Sequence, residues 1–116
     1  MDLSADNPPA PDAGFIEYES NSDYIMIWYY KVPDELKNSD SSALISYATT
    51  NAPFTPTETG TTQVNGHLAG YAATYDIHGF WLSEIVYVNG GTCVEINAAY
   101  IANNTYNVNN LINSIQ

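Results

Sequence analysis

The residues Tyr24 to Val32, YIMIWYYKV, carry eight apolar or aromatic side chains and one charge. A strand with one face in water alternates apolar and polar positions. This one does not alternate, so both of its faces are predicted to be covered. Phe15 to Glu19 (FIEYE) reads as a partner strand, joined through the turn formers Ser20-Asn21-Ser22-Asp23 into a hairpin. Pro33 has no N–H to give to a ladder and ends the second strand.

The pattern then changes period. Leu44, Tyr47 and Ala48 recur at helical spacing, predicting a helix from about Ser41 to Thr50, capped by Ser39 or Asp40 and stopped by Asn51 and Pro53. Leu36 falls on an earlier turn, and Phe54 to Gly60 reads as a Thr- and Pro-rich loop. Three strands follow: Val64 to Ile77, Phe80 to Val88 and Thr92 to Ile101, with turns at His78-Gly79 and Asn89-Gly90-Gly91. Val108, Leu111, Ile112 and Ile115 stand at i, i+3, i+4 and i+7, an amphipathic C-terminal helix capped by Asn107 or Thr105. The order hairpin, helix, three strands, helix predicts an α+β fold. Its five-stranded antiparallel sheet would carry a helix on each face, a three-layer α/β/α sandwich in which a central strand loses its alternation. An exposed aromatic patch or a dimer interface is the competing explanation of YIMIWYYKV.

This order of elements resembles the PsbP family, as do Gly66 and Ala69 in NGHLAGYAATY, the Gly turn between the later strands and the closing INSIQ. The family is named for the extrinsic protein of the photosystem II oxygen-evolving complex. The wider superfamily includes a nuclear-transport accessory protein and exported bacterial and archaeal domains. The resemblance spans about Gly14 to Gln116 and implies an accessory, scaffolding or regulatory role without catalytic residues. The chain departs from it in lacking the basic residues that some members use to dock on acidic partners.

Composition narrows the classes. The 116 residues make one domain, with 45% hydrophobic content and ten tyrosines to build a core. Residues 1–13 are small, acidic and Pro-rich, a flexible tail before a domain spanning 14–116. Two lysines, no arginine and thirteen acidic residues repel phosphate backbones and anionic headgroups, which excludes a nucleic-acid partner. No apolar run is long enough to span a membrane. The tail and the Lys-poor, Tyr-, Asn- and Thr-rich body predict an extracytoplasmic or surface domain, a piece of a tethered protein. Asn103-Asn104-Thr105 matches the glycosylation acceptor pattern, a triplet that chance readily produces in Asn-rich chains. The expected partner is an unidentified protein, and the expected state a monomer or weak dimer.

Candidate chemistry depends on strand register. With Ile77 opposite Phe80 and Val88 opposite Thr92, His67, Tyr71, Leu82, Glu84, Val86 and Ile96 share the core face. Trp81, Ser83, Tyr87, Cys93, Glu95 and Asn97 then share a mixed face. Trp81 and Tyr87 beside Glu95 and Asn97 make a candidate ligand face for a glycan or peptide, against the plainer reading of aromatics packed under the C-terminal helix. His67 and His78 lie roughly 30 Å apart along one strand and cannot share a metal ion. Cys93 has no base beside it and reads as a structural thiol. Asp76 and Glu95 are too far apart for paired acid–base work and read as solvated strand positions. Asp23, Asp34, Glu35 and Asp40 in SNSD and NSDS offer oxygen ligands without EF-hand spacing, predicting weak surface calcium at most. No catalytic residue, specific metal site or cofactor follows from the sequence.

Overall fold

The structure, a computed structural model, describes residues 13–19, 23–38, 40–75 and 79–101. They form one six-stranded antiparallel sheet with a single α-helix on one face. Strands β1 (Gly14–Glu19) and β2 (Asp23–Lys31) form the expected hairpin. A 3-10 turn (Asp34–Leu36) and helix α1 (Ser41–Asn51) follow, then β3 (Glu58–Val64), β4 (His67–Tyr75), β5 (Phe80–Asn89) and β6 (Thr92–Ile101). The order across the sheet is β1-β2-β6-β5-β4-β3. The chain therefore crosses to the far edge through α1 and walks back strand by strand until β6 pairs with β2.

This corrects the expected three-layer sandwich. The sheet has six strands rather than five, and the described residues hold one α-helix rather than two. The second helix expected at Val108 to Ile115 lies outside the described residues. The extra strand is β3, Thr-rich and mostly exposed, which composition alone had made look like a loop. It pairs with β4 through a two-residue hairpin with Val64 opposite His67. Asn65 and Gly66 both take positive φ, 51° and 85°, as the preferred Asn-Gly hairpin turn requires. The segment read as one long strand from Val64 is thus two strands folded back at Asn65-Gly66.

Helix α1 begins where Asp40 accepts a hydrogen bond from the Ala43 N–H at 2.9 Å, one of the two expected caps. It ends at Ala52, which is extended before Pro53. Leu44 and Ala48 are fully buried beneath it, with Leu36 from the preceding turn. They pack with Met26, Trp28, Tyr30, Ala72, Val86 and Cys93 into one of two cores. The other core, on the opposite sheet face, holds Ile25, Ile27, Ala69, Tyr87, Val94 and Ile96. The stretch YIMIWYYKV feeds both: Ile25 and Ile27 point to one core, and Met26, Trp28 and Tyr30 to the other. That double burial is why its alternation disappears.

The helix comes down on the sheet at Gly70. A Cβ added there would lie 2.3 Å from the Leu44 carbonyl carbon, with the Ile45 nitrogen at 2.5 Å. Both obstacles are backbone, so no side-chain rotation relieves the clash. Gly70→Ala is expected to destabilise the fold by about 3 kcal/mol, the upper part of the range for overpacking. Gly91→Ala, where nothing lies within 4 Å, should cost less than about 0.5 kcal/mol. Urea unfolding of the two variants checks the contrast.

Candidate functional site

Register decides which side chains meet, and both β5 pairings differ from the expected ones by one residue. Tyr75 stands opposite Trp81 in β4–β5, and Val88 opposite Cys93 in β5–β6. The two shifts add to two residues between β4 and β6, which keeps their facing sets, but turn β5 over relative to both. Trp81, Ser83, Ile85 and Tyr87 therefore face the same side as Tyr71, Ala73, Ala98 and Tyr100. Leu82, Glu84, Val86 and Val88 face α1 together with Cys93, Glu95 and Asn97. The proposed ligand face of Trp81, Tyr87, Glu95 and Asn97 is thus divided: the two aromatics lie on one side of the sheet and the two polar residues on the other. Cross-strand neighbours share a face, so a one-residue slip exchanges a strand's whole set.

On the face away from α1, a groove of about 410 Å³ runs across four strands. Glu58 and Thr62 of β3, Tyr71 of β4, Trp81 and Ser83 of β5 and Tyr100 of β6 give it its chemistry. Small side chains make room for it, since Ala73 and Ala98 both stand opposite Ser83. The Tyr71 ring lies over Gly60, where an added Cβ would come within 3.1 Å of it. Its hydroxyl donates to Glu58 Oε2 at 3.2 Å. Trp81 is half-buried, and the exposed ring of Tyr75 meets it edge-on with centroids 5.1 Å apart. Burial raises the Tyr100 pKa, an effect that the Ser83 hydrogen bond opposes. The groove joins aromatic surface to one carboxylate and several hydroxyls. Tyr87 is not part of it: the ring is wholly buried and stacks on His67 with centroids 5.3 Å apart.

Under α1 lies a second arrangement that the assumed register concealed. Glu84 is completely buried, and Glu95, expected as a solvated strand position, is only 5% exposed. Asp76, read in the same way, lies outside the described residues. Glu84 stands opposite Asn97, and Glu95 opposite Val86, which makes the two carboxyls diagonal neighbours on adjacent strands. The Tyr30 hydroxyl donates to Glu95 Oε1 at 2.7 Å. With its one proton so used, Tyr30 accepts from Tyr47 of α1 across 2.6 Å. Neither oxygen of Glu84 meets a partner at hydrogen-bond geometry, although the Glu95 carboxyl lies close enough to act on it. Burial pushes the Glu84 pKa well above the usual carboxylate range, and the neighbouring Glu95 carboxyl pushes it the same way. Burial also raises the Cys93 thiol to about 11 and the Tyr47 hydroxyl to about 12. Cys93 is a buried, protonated thiol on the face opposite His67.

Among the described residues no group of three or more His, Cys, Asp or Glu side chains is placed to hold a metal ion, and no helix is long and apolar enough to cross a membrane. No family model matches the chain, and none of the curated proteins is similar to it in sequence.

The chain Tyr47–Tyr30–Glu95 ties α1 to two strands. Tyr30→Phe removes the only hydrogen that reaches Glu95 Oε1 from this chain of hydroxyls and leaves a buried acceptor unmet. A loss of about 1–3 kcal/mol is expected. Tyr47→Phe, at a half-buried position, should cost no more than about 1 kcal/mol. The difference is read from urea unfolding at neutral pH.

Proposed function

We propose that the chain is a non-catalytic binding domain, acting outside the cytoplasm, whose working surface is the groove on the sheet face away from α1 and whose ligand is a neutral glycan. The observation that carries this reading is Trp81. It is half-buried, lines the groove with Tyr71 and Tyr100, and has Glu58, Thr62 and Ser83 around it. Binding sites combine aromatic walls with a few fixed polar groups in this way. A pyranose ring suits such a surface because its C–H face packs on an aromatic ring while its hydroxyls reach carboxylate and hydroxyl partners. The net charge of −11 and Glu58 at the rim argue against an anionic ligand. The Lys-poor, Tyr- and Asn-rich composition supports the location. An accessory domain that docks a protein partner is the other reading of a chain without a catalytic constellation.

Titration of the labelled chain with neutral oligosaccharides, followed by amide NMR and Trp fluorescence, tests the proposal. Shifts should cluster on Thr62, Tyr71, Trp81, Ser83 and Tyr100. Trp81→Ala should weaken binding at least about tenfold, equivalent to about 1.4 kcal/mol. Tyr87→Phe should leave it unchanged, because that hydroxyl lies in the core. Response to short peptides but to no glycan would reject the glycan and favour the docking domain.

A further inference from the structure

Glu84 and Glu95 sit on neighbouring strands beneath α1, and none of the described residues places a positive charge between them. The chain has two lysines and no arginine. Lys31 is exposed on the opposite sheet face, and Lys37 is exposed and paired with Asp34 at 3.0 Å. His67 is also on the opposite face, stacked on Tyr87. Two carboxylates buried side by side without a cation cannot both remain ionised. We propose that Glu84 and Glu95 form a buried proton site, in which one proton carried on Glu84 keeps the pair beneath α1, and that its loss to solvent loosens the helix from the sheet.

Among the described residues the surroundings of the site hold no other neutralising group. Helix α1 contributes only Tyr47 as a titratable side chain, and none of its residues is charged. The α1-facing residues of β4 are Leu68, Gly70, Ala72 and Thr74, none of them titratable. Strand β6 adds Cys93 beside Glu95, and β2 adds Tyr30, whose hydroxyl is spent on Glu95. The 3-10 turn carries Asp34 and Glu35, both acidic and exposed. Among the described residues every titratable neighbour is thus acidic or a neutral hydroxyl or thiol, and none carries the positive charge that would offset a second carboxylate. The contact that would give way is also defined. Ala72, opposite Glu84 in the sheet, packs with Leu44 and Ala48 of the helix. Water drawn in to solvate a second carboxylate enters at that seam.

The sign of the pH dependence follows. Glu84 binds its proton more tightly in the folded protein than in the unfolded chain, where a carboxyl titrates near 4.5. The folded state then holds the extra proton from about that pH up to the folded value. The contribution of the proton to stability is complete below this window and is lost as pH rises through it. One proton changes the unfolding constant about tenfold per pH unit inside the window. The site is independent of the groove, so a failed glycan titration has no bearing on it.

The experiment is urea unfolding of the full chain from pH 5 to 9, in salt of about 1 M. There the Debye length is about 3 Å and surface repulsion is screened. Wild type should become less stable with rising pH, approaching about a tenfold change in the unfolding constant per unit, while Glu84→Gln should be flat over most of the range. Infrared spectra at pH 7 give a readout that does not depend on unfolding. Wild type should show the carbonyl stretch of a protonated carboxylic acid, and Glu84→Gln should lack it. Equal pH slopes in the two proteins, or no protonated-acid band in wild type, would overturn the proposal.

Discussion

The contact of α1 with Gly70 organises both faces of the sheet. Helix backbone reaches strand backbone only where no Cβ intervenes, and Gly70 provides that point on β4. With the helix seated there, Leu44 and Ala48 close over Ala72 and Val86, and the even-numbered side chains of β5 lose water. Glu84 is among them. The same docking commits the helix to one side and leaves Trp81, Ser83 and Ile85 to the other, where the groove forms. One strand therefore supplies both arrangements, its successive residues directed alternately to the groove and to the buried acids.

The hairpin, the helix with its Asp40 cap and the double burial of YIMIWYYKV were legible in the sequence, because each is a local signal or a pronounced departure from alternation. Strand β3 was also legible, through Asn65-Gly66, a turn pair that needs no tertiary information. It was missed because the long apolar run after it made Val64 to Ile77 look continuous and because ETGTTQV has the composition of a loop. Register was a different matter. On β5 and β6 both faces are largely apolar, so shifting a strand by one residue exchanges one acceptable set for another. Reading Asn89-Gly90-Gly91 as a three-residue turn rather than Gly90-Gly91 as a two-residue turn was enough to place Glu84 in the wrong core. The pairing of Trp81 and Tyr87 with Glu95 and Asn97 failed for the same reason.

Glu84 itself carried a warning in the sequence. A glutamate in FWLSEIVYV interrupts an otherwise apolar strand, and either assignment of faces buries it or sets it in a mixed surface. Burial without a partner costs several kcal/mol for a charged group and much less for a neutral acid. The absence of arginine favours the neutral acid, and the β2–β6 pairing, which sets Lys31 on the opposite face, decides for it. What the sequence did not show was the second carboxyl. Only the correct β5–β6 pairing brings Glu95 within reach of Glu84 and the Tyr30 hydroxyl within reach of Glu95.

The composition that makes the chain strongly acidic thus governs the interior as well. In a chain with abundant cations, a buried carboxyl pair is ordinarily satisfied by an arginine that bridges both members. Here hydroxyls take that place: Tyr47 donates to Tyr30 and Tyr30 to Glu95. Hydroxyls can share a negative charge by hydrogen bonding but cannot cancel it, so the remaining charge must be removed by a proton. A lysine or arginine reaching between Glu84 and Glu95 would remove the need for that proton and with it the dependence on pH. The scarcity of positive charge is therefore what would make the interior of this fold responsive to acidity.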